Sequence, residues 1–197
     1  MRSLRRGAQR ASIRIRVAAR PAAAILAFVA VLTAGAASPA PVAASTPPFS
    51  AAEAFELRLV NCTRTGGWVL ASGACSGYGT GRYSPYVPPL KLSAGISTVA
   101  RKRAAKLAIN NLCAHGNVGA RLRNAGYTSG WYGENIGCGS GYRAVAAVIA
   151  FHRMMQAEKS TNGPHWKNIK NSTYRYIGIG VWKYNGRTRL VTDFYRP

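Results

Sequence analysis

Three histidines and five acids are the groups this sequence offers for acid–base or metal chemistry apart from its cysteines. His115 stands in the run CAHGN, His165 in GPHW, and His152 within a helical pattern, on its apolar side. The acids are Glu53, Glu56, Glu134, Glu158 and Asp193. Glu134 is the informative one, because its neighbours in WYGENIGC are apolar or glycine. An isolated carboxylate in such surroundings costs several kcal/mol unless it is paired. Its partners are therefore expected among histidine, arginine, backbone amides or a metal. Neutral imidazoles ligate divalent ions and also act as bases near neutral pH. His152 reads as a packing residue, and Asp193, just before the last aromatic pair, as one that fixes a strand edge. No C-x-x-C pair occurs, which argues against a thiolate zinc site. No serine stands in a recognisable nucleophile elbow, which argues against a serine hydrolase.

These groups need elements to hold them. Ser50 with Glu53 reads as a capping box opening a first helix, with Phe55 and Leu59 on one face. Residues 61–89 are rich in glycine, tyrosine and proline and read as a long loop, of a length that calls for a staple or a function. Ser93 caps a second helix with Ile96, Val99, Ala100, Arg103, Leu107 and Ala108 at helical spacing. A short helix is expected over 118–125 and an extended aromatic segment over 127–137. Residues 142–158 carry the strongest helical period, through Val145, Val148, Ile149, His152 and Met155. Residues 160–164 break that helix. Two strands, 174–184 and 187–195, flank Asn185-Gly186, a strong hairpin signal. Helices first and a hairpin last make the class α+β.

The first 37 residues read as a signal peptide. Seven arginines fall in the first 20 residues, an apolar run follows at 22–34, and small residues come next, with cleavage as late as residue 44. The apolar run is shorter than the roughly 20 residues that span a bilayer. Residues 38–48 read as a Pro/Ala-rich linker, and 49–197 as one domain. The chain carries 27 Lys or Arg against five Asp or Glu; from Ser38 onward 20 remain against five, a formal charge of about +15. Such an excess attracts anionic partners. Four cysteines, Cys62, Cys75, Cys113 and Cys138, all lie after the leader. An even number in an exported chain argues for disulfides, with three pairings open. A Cys62–Cys75 bridge would tie off the first part of the long loop.

His115, then Gly133-Glu134-Asn135-Ile136, then Gly163-Pro164-His165-Trp166, then Tyr176-Ile177-Gly178-Ile179-Gly180-Val181 and a final strand occur in an order that resembles the CAP superfamily. These are the cysteine-rich secretory, antigen and pathogenesis-related proteins that share the SCP domain, and the resemblance covers residues 49–197. It implies an α-β-α sandwich around a central antiparallel sheet. It also implies a cleft with two histidines and two glutamates, in which His115 and His165 bind zinc or another divalent cation. Here His115, Glu134 and His165 match the motif. Phe151 stands at the tryptophan of the family's W-x-x-E, which puts Met154 at its glutamate. Either Glu158, four residues on and on the same helix face, supplies the fourth carboxylate, or the site is a triad. A Cys113–Cys138 bridge would tie together two walls of that cleft. The implied function is a secreted, monomeric binding module for an apolar or anionic extracellular ligand, a lipid or a cell-envelope polymer. In that role Tyr78, Tyr83, Tyr86, Trp131 and Tyr132 are candidates for an apolar surface. The alternatives are a metal-dependent hydrolase with Glu134 as base, or a basic binder of nucleic acid.

Overall fold

A computed structural model describes residues 49–128 and 130–197. The expected signal peptide and linker lie outside the described residues. Among the described residues five α-helices and six strands follow in order. They are α1 (Ser50–Arg64), β1 (Trp68–Val69), β2 (Cys75–Ser76), β3 (Lys91–Leu92), α2 (Ala94–Ile109), α3 (Val118–Asn124), β4 (Trp131–Ser140), α4 (Ala144–Ala157), α5 (Pro164–Lys170), β5 (Tyr176–Tyr184) and β6 (Arg187–Arg196). A single 3-10 turn, Glu158–Thr161, links α4 to α5.

The main sheet has the order β3-β5-β6-β4. β6 runs antiparallel to both of its neighbours, β5 and β4, and the two-residue β3 adds a parallel edge on β5. The β5–β6 hairpin turns at Asn185 (φ 44°) and Gly186 (φ 75°). Two consecutive positive φ angles give the primed turn whose twist matches paired strands. One face of the sheet buries Ile177, Ile179, Val181, Leu190 and Phe194 against α1, α4 and α5. The other face packs Ile136 and Val191 against Ala100, Ala104 and Leu107 of α2. On the α2 face β5 carries Gly178 and Gly180. A Cβ on either would come within 2.3 Å of α2 backbone atoms, so the helix rests directly on the strand. The α+β class and the α-β-α sandwich are as the sequence implies.

Beyond β3, the outer edge of β5 is capped by side chains from two helices. The Ile179 N–H donates to Ser97 Oγ (3.1 Å) and the Val181 N–H to Glu53 Oε1 (3.2 Å). Such capping blocks an edge that would otherwise invite pairing with another chain. Glu53 is thereby taken from the role read in the sequence. Phe49 is the N-cap of α1, without a side-chain cap bond, and Glu53 lies buried in a bidentate pair with Arg101. α1 also continues through Arg64, into the segment read as loop, because its last turn is buried. The break at 160–164 is real, but Pro164 opens α5, where proline's missing N–H is harmless. Asp193 sits on the interior strand β6, between β5 and β4, and not at a sheet edge.

Both disulfides form, Cys62–Cys75 and Cys113–Cys138, and no cysteine is free. No helix of the described residues is long and apolar enough to cross a membrane.

Candidate functional site

The cleft is built at the β4 side of the sheet. β4 supplies Glu134, whose side chain is 2% exposed. The segment between α2 and α3 supplies His115, fastened two residues earlier by the Cys113–Cys138 bridge to β4. The second residue of α5 supplies His165. The two imidazole rings lie 6.4 Å apart, centroid to centroid, across a cavity of about 320 Å³. Ile136, Met154 and the Cys113–Cys138 bridge also line it.

Each imidazole is held from behind by a carboxylate. His115 Nδ1 lies 3.0 Å from Glu134 Oε1, and His165 Nδ1 lies 2.5 Å from Glu158 Oε1. The other Glu158 oxygen accepts the His165 backbone N–H at 2.9 Å. The turn that makes this possible uses Asn162 in the left-handed region (φ 51°) and Gly163, whose N–H returns to the Glu158 carbonyl at 3.0 Å. Burial raises the Glu158 carboxyl. The His165 hydrogen bond and charge, with the His165 and Trp166 amides, outweigh it and hold its pKa below the usual value. A carboxylate at Nδ1 fixes the N–H there and leaves the lone pair on Nε2. Neither Nε2 has a protein partner among the described residues.

Beneath Glu134 lies a second layer that the sequence reading did not assign. Arg121 of α3 pairs with Glu134 Oε2, and also reaches Asp193 Oδ1 at 3.3 Å. Asp193 is the cross-strand partner of Glu134. Burial pushes its pKa up to about 7, against the pull of Arg121 and with added repulsion from Glu134. Both oxygens of Glu134 are thus engaged, one by His115 and one by Arg121. The only available signal for Arg121 was its place in a short helix six residues after His115.

The four sequence-predicted residues divide into two couples, His115–Glu134 and His165–Glu158, whose rings line one cavity. Met154 stays 50% exposed on the cavity wall. His152 is fully buried elsewhere, between Glu56 (3.1 Å) and Thr63 (2.9 Å), and faces no cavity of the cleft. Of the aromatic candidates, Tyr78, Tyr86 and Trp131 are exposed. Tyr132 is half-buried and stacks on Tyr195, and Tyr83 hydrogen-bonds Ser76 (3.0 Å).

With Zn–N bonds of about 2.0–2.1 Å, a tetrahedral ion on both imidazoles would draw the two rings together by about an ångström from their 6.4 Å separation. Among the described residues no group of three or more His, Cys, Asp or Glu could hold a metal, so protein donors beyond the two imidazoles are wanting.

No curated protein matches the chain. Solved structures do. NaASP2, crystallised with Zn2+, aligns with a TM-score of 0.52 at 14% identity, over 73% of this chain and 78% of its own. Na-ASP-1 aligns at 0.51 and 14% identity, over 73% of this chain and 38% of its own. An extracellular SCP-domain protein of Bacillus anthracis shares 22% identity over 56% of this chain, with a TM-score of 0.44; the matched region is 35% of that protein's length. At these identities the two alignments above 0.5 speak for the fold alone. The family model for CAP, the cysteine-rich secretory protein family, matches residues 80–194. These residues carry His115, Glu134, Glu158, His165, β4, β5 and all but the last two residues of β6, and the chain belongs to that family.

Proposed function

We propose that this chain is a secreted CAP-domain binding module for an apolar or anionic extracellular ligand, and that its cleft holds a divalent metal, zinc foremost, on His115 and His165. The observation that carries the metal reading is the pair of Nδ1–carboxylate contacts. They leave two free Nε2 lone pairs on rings that line one cavity, 6.4 Å apart. A carboxylate behind each ligand is the usual support of a metal-bound imidazole, fixing its tautomer and raising its basicity. The zinc in NaASP2 agrees with this assignment. With only two protein ligands the ion would keep open positions, where it would act as a Lewis acid toward a ligand oxygen.

Binding is favoured over hydrolysis by the state of Glu134. A base must reach the water it activates. Glu134 has one oxygen on His115 and the other on Arg121, and its side chain is almost wholly buried, so it orients His115 instead. The other hydroxyl–imidazole–carboxylate chain, Thr63–His152–Glu56, is buried at all three residues and meets no substrate.

Metal analysis and lipid extraction with mass spectrometry, on protein purified from the culture medium of its native host, test this reading together. Zinc near one equivalent that is lost in His115→Ala supports it. Protein that stays with the cell membrane fraction, or metal content equal in the variant, contradicts it.

A further inference from the structure

A second cavity, of about 350 Å³, lies between α2 and α3. Val99, Lys102, Arg103 and Lys106 of α2 line it at the spacing of one helix face, and Arg121 and Asn124 of α3 close it. Four cations therefore border a single small volume. The chain has no carboxylate to spare for them. Its five acids are committed, Glu53 to Arg101, Glu56 to His152, Glu134 to His115 and Arg121, Glu158 to His165, and Asp193 to Arg121. Lys102, Arg103 and Lys106 form no ion pair among the described residues. The guanidinium groups of Arg103 and Arg121 both approach Gly116. A Cβ built on Gly116 would meet a guanidinium nitrogen of each at 3.2 Å. The Nε of each is buried without an acceptor. Arg121 already has Glu134 and Asp193, so the charge left without a counter-ion at the cavity is that of Lys102, Arg103 and Lys106, which an anion from outside would stabilise.

We infer that this cavity is a binding site for a phosphorylated small polar group, distinct from the histidine cleft and bordering it through Arg121. Guanidinium forks and lysine point charges together are the donor set that suits a multiply charged oxyanion. The volume lies in the range of small-molecule sites and exceeds what a bare anion needs. The site gives a ligand class to the anionic side of the binding-module reading on which it rests. It requires no metal.

Calorimetric titration with inorganic pyrophosphate, at low ionic strength and on protein freed of metal by a chelator, tests the site. Lys102 and Lys106 are exposed on α2, so Lys102→Gln/Lys106→Gln removes two charges without touching the core. Lys91→Gln/Lys183→Gln removes two exposed charges elsewhere. The wild type is expected to bind one pyrophosphate saturably. The pocket variant should lose about tenfold or more in affinity, and the control about twofold or less, since screened surface charges act weakly at a distance. Equal losses in both variants, or binding that never saturates, would overturn the site. Zinc affinity unchanged in the pocket variant keeps this result separate from the metal reading; a parallel fall in zinc affinity would count against a distinct pocket. Vesicles of phosphatidylglycerol supply the second arm. Co-sedimentation that pyrophosphate competes away identifies a lipid headgroup as the source of the phosphoryl group. Pyrophosphate binding without competed co-sedimentation identifies a soluble one.

Discussion

At the scale of single residues the cleft is set by which atom of each carboxylate is already taken. Glu158 gives one oxygen to the His165 ring and one to its backbone N–H, so Glu158→Gln should leave the fold intact and loosen the ring. Loss of such support costs about 10–100-fold in metal affinity, which zinc titration of the variant would read; an unchanged affinity would remove Glu158 from the site. Met154 puts a thioether where a carboxylate would favour a hard divalent ion. Met154→Glu is accordingly expected to tighten zinc binding, measured in the same way. Asp193 yields a pH prediction. Its folded pKa lies near 7, above the ordinary 3.8. The folded state therefore holds a proton that the unfolded chain releases, and the stability this brings is lost as pH rises from about 4 to 7. Asp193→Asn should gain stability relative to wild type across that window, and denaturant melts at several pH values would show a constant difference if the idea is wrong. That Glu134 needs buried partners was legible in the sequence, since an acid among glycines and apolar residues demands one, while His115 and His165 came from the family resemblance. Arg121 and Asp193 were legible in neither way. Their pairing depends on α3 lying over the sheet and on β6 running beside β4, and neither fact is local in sequence.

At the scale of elements, the helical period of 142–158 identified α4 and placed His152 on its buried side. Its partners came from α1, which no local pattern could reveal. The Val69 amide group orients Gln156, donating to Oε1 (2.9 Å) and accepting from Nε2 (3.1 Å). Gln156 Oε1 can then only accept from the Thr63 hydroxyl (3.1 Å). Thr63 in turn accepts from His152 Nε2–H, which leaves Nδ1 facing Glu56. Burial pushes the Glu56 carboxyl up, and the His152 charge and hydrogen bond act the other way. His152→Ala would strand this acid in the core and should cost about 3–5 kcal/mol with zinc affinity unchanged. Denaturant unfolding beside a zinc titration checks both halves. The hairpin was legible because Asn-Gly has one dominant use. α5 was missed because seven residues carry too little period to outweigh the Gly163-Pro164 at which they begin, and β3 because two residues pair only through tertiary placement.

At the scale of the whole molecule, long connections are held by a few buried cations and two bridges. Arg64 is fully buried and donates to the carbonyls of Pro88 (2.8 Å), Ile169 (2.7 Å) and Asn171 (2.9 Å). Lys170 donates to those of Arg64 (2.8 Å) and Pro85 (2.6 Å). These bonds give order to a loop that composition alone marked only as irregular. The Cys113–Cys138 bridge does the same for the segment carrying His115. Its removal in Cys113→Ser/Cys138→Ser should cost about 2–5 kcal/mol and weaken zinc binding as well, because one wall of the cleft is released; thermal melts and titration of that variant measure both. The cleft thus unites α3, β4, the turn after α4 and α5, and the central claim about it is that the Nε2 atoms of His115 and His165 bind one ion. Calorimetric zinc titration of wild type and of His115→Ala/His165→Ala, at about pH 7.5 and about pH 5.5, tests it most directly. The account predicts one saturable site in the wild type, weaker at the acid pH because a protonated imidazole has no lone pair to give, and none in the double variant. Equal affinity in the two proteins would contradict it.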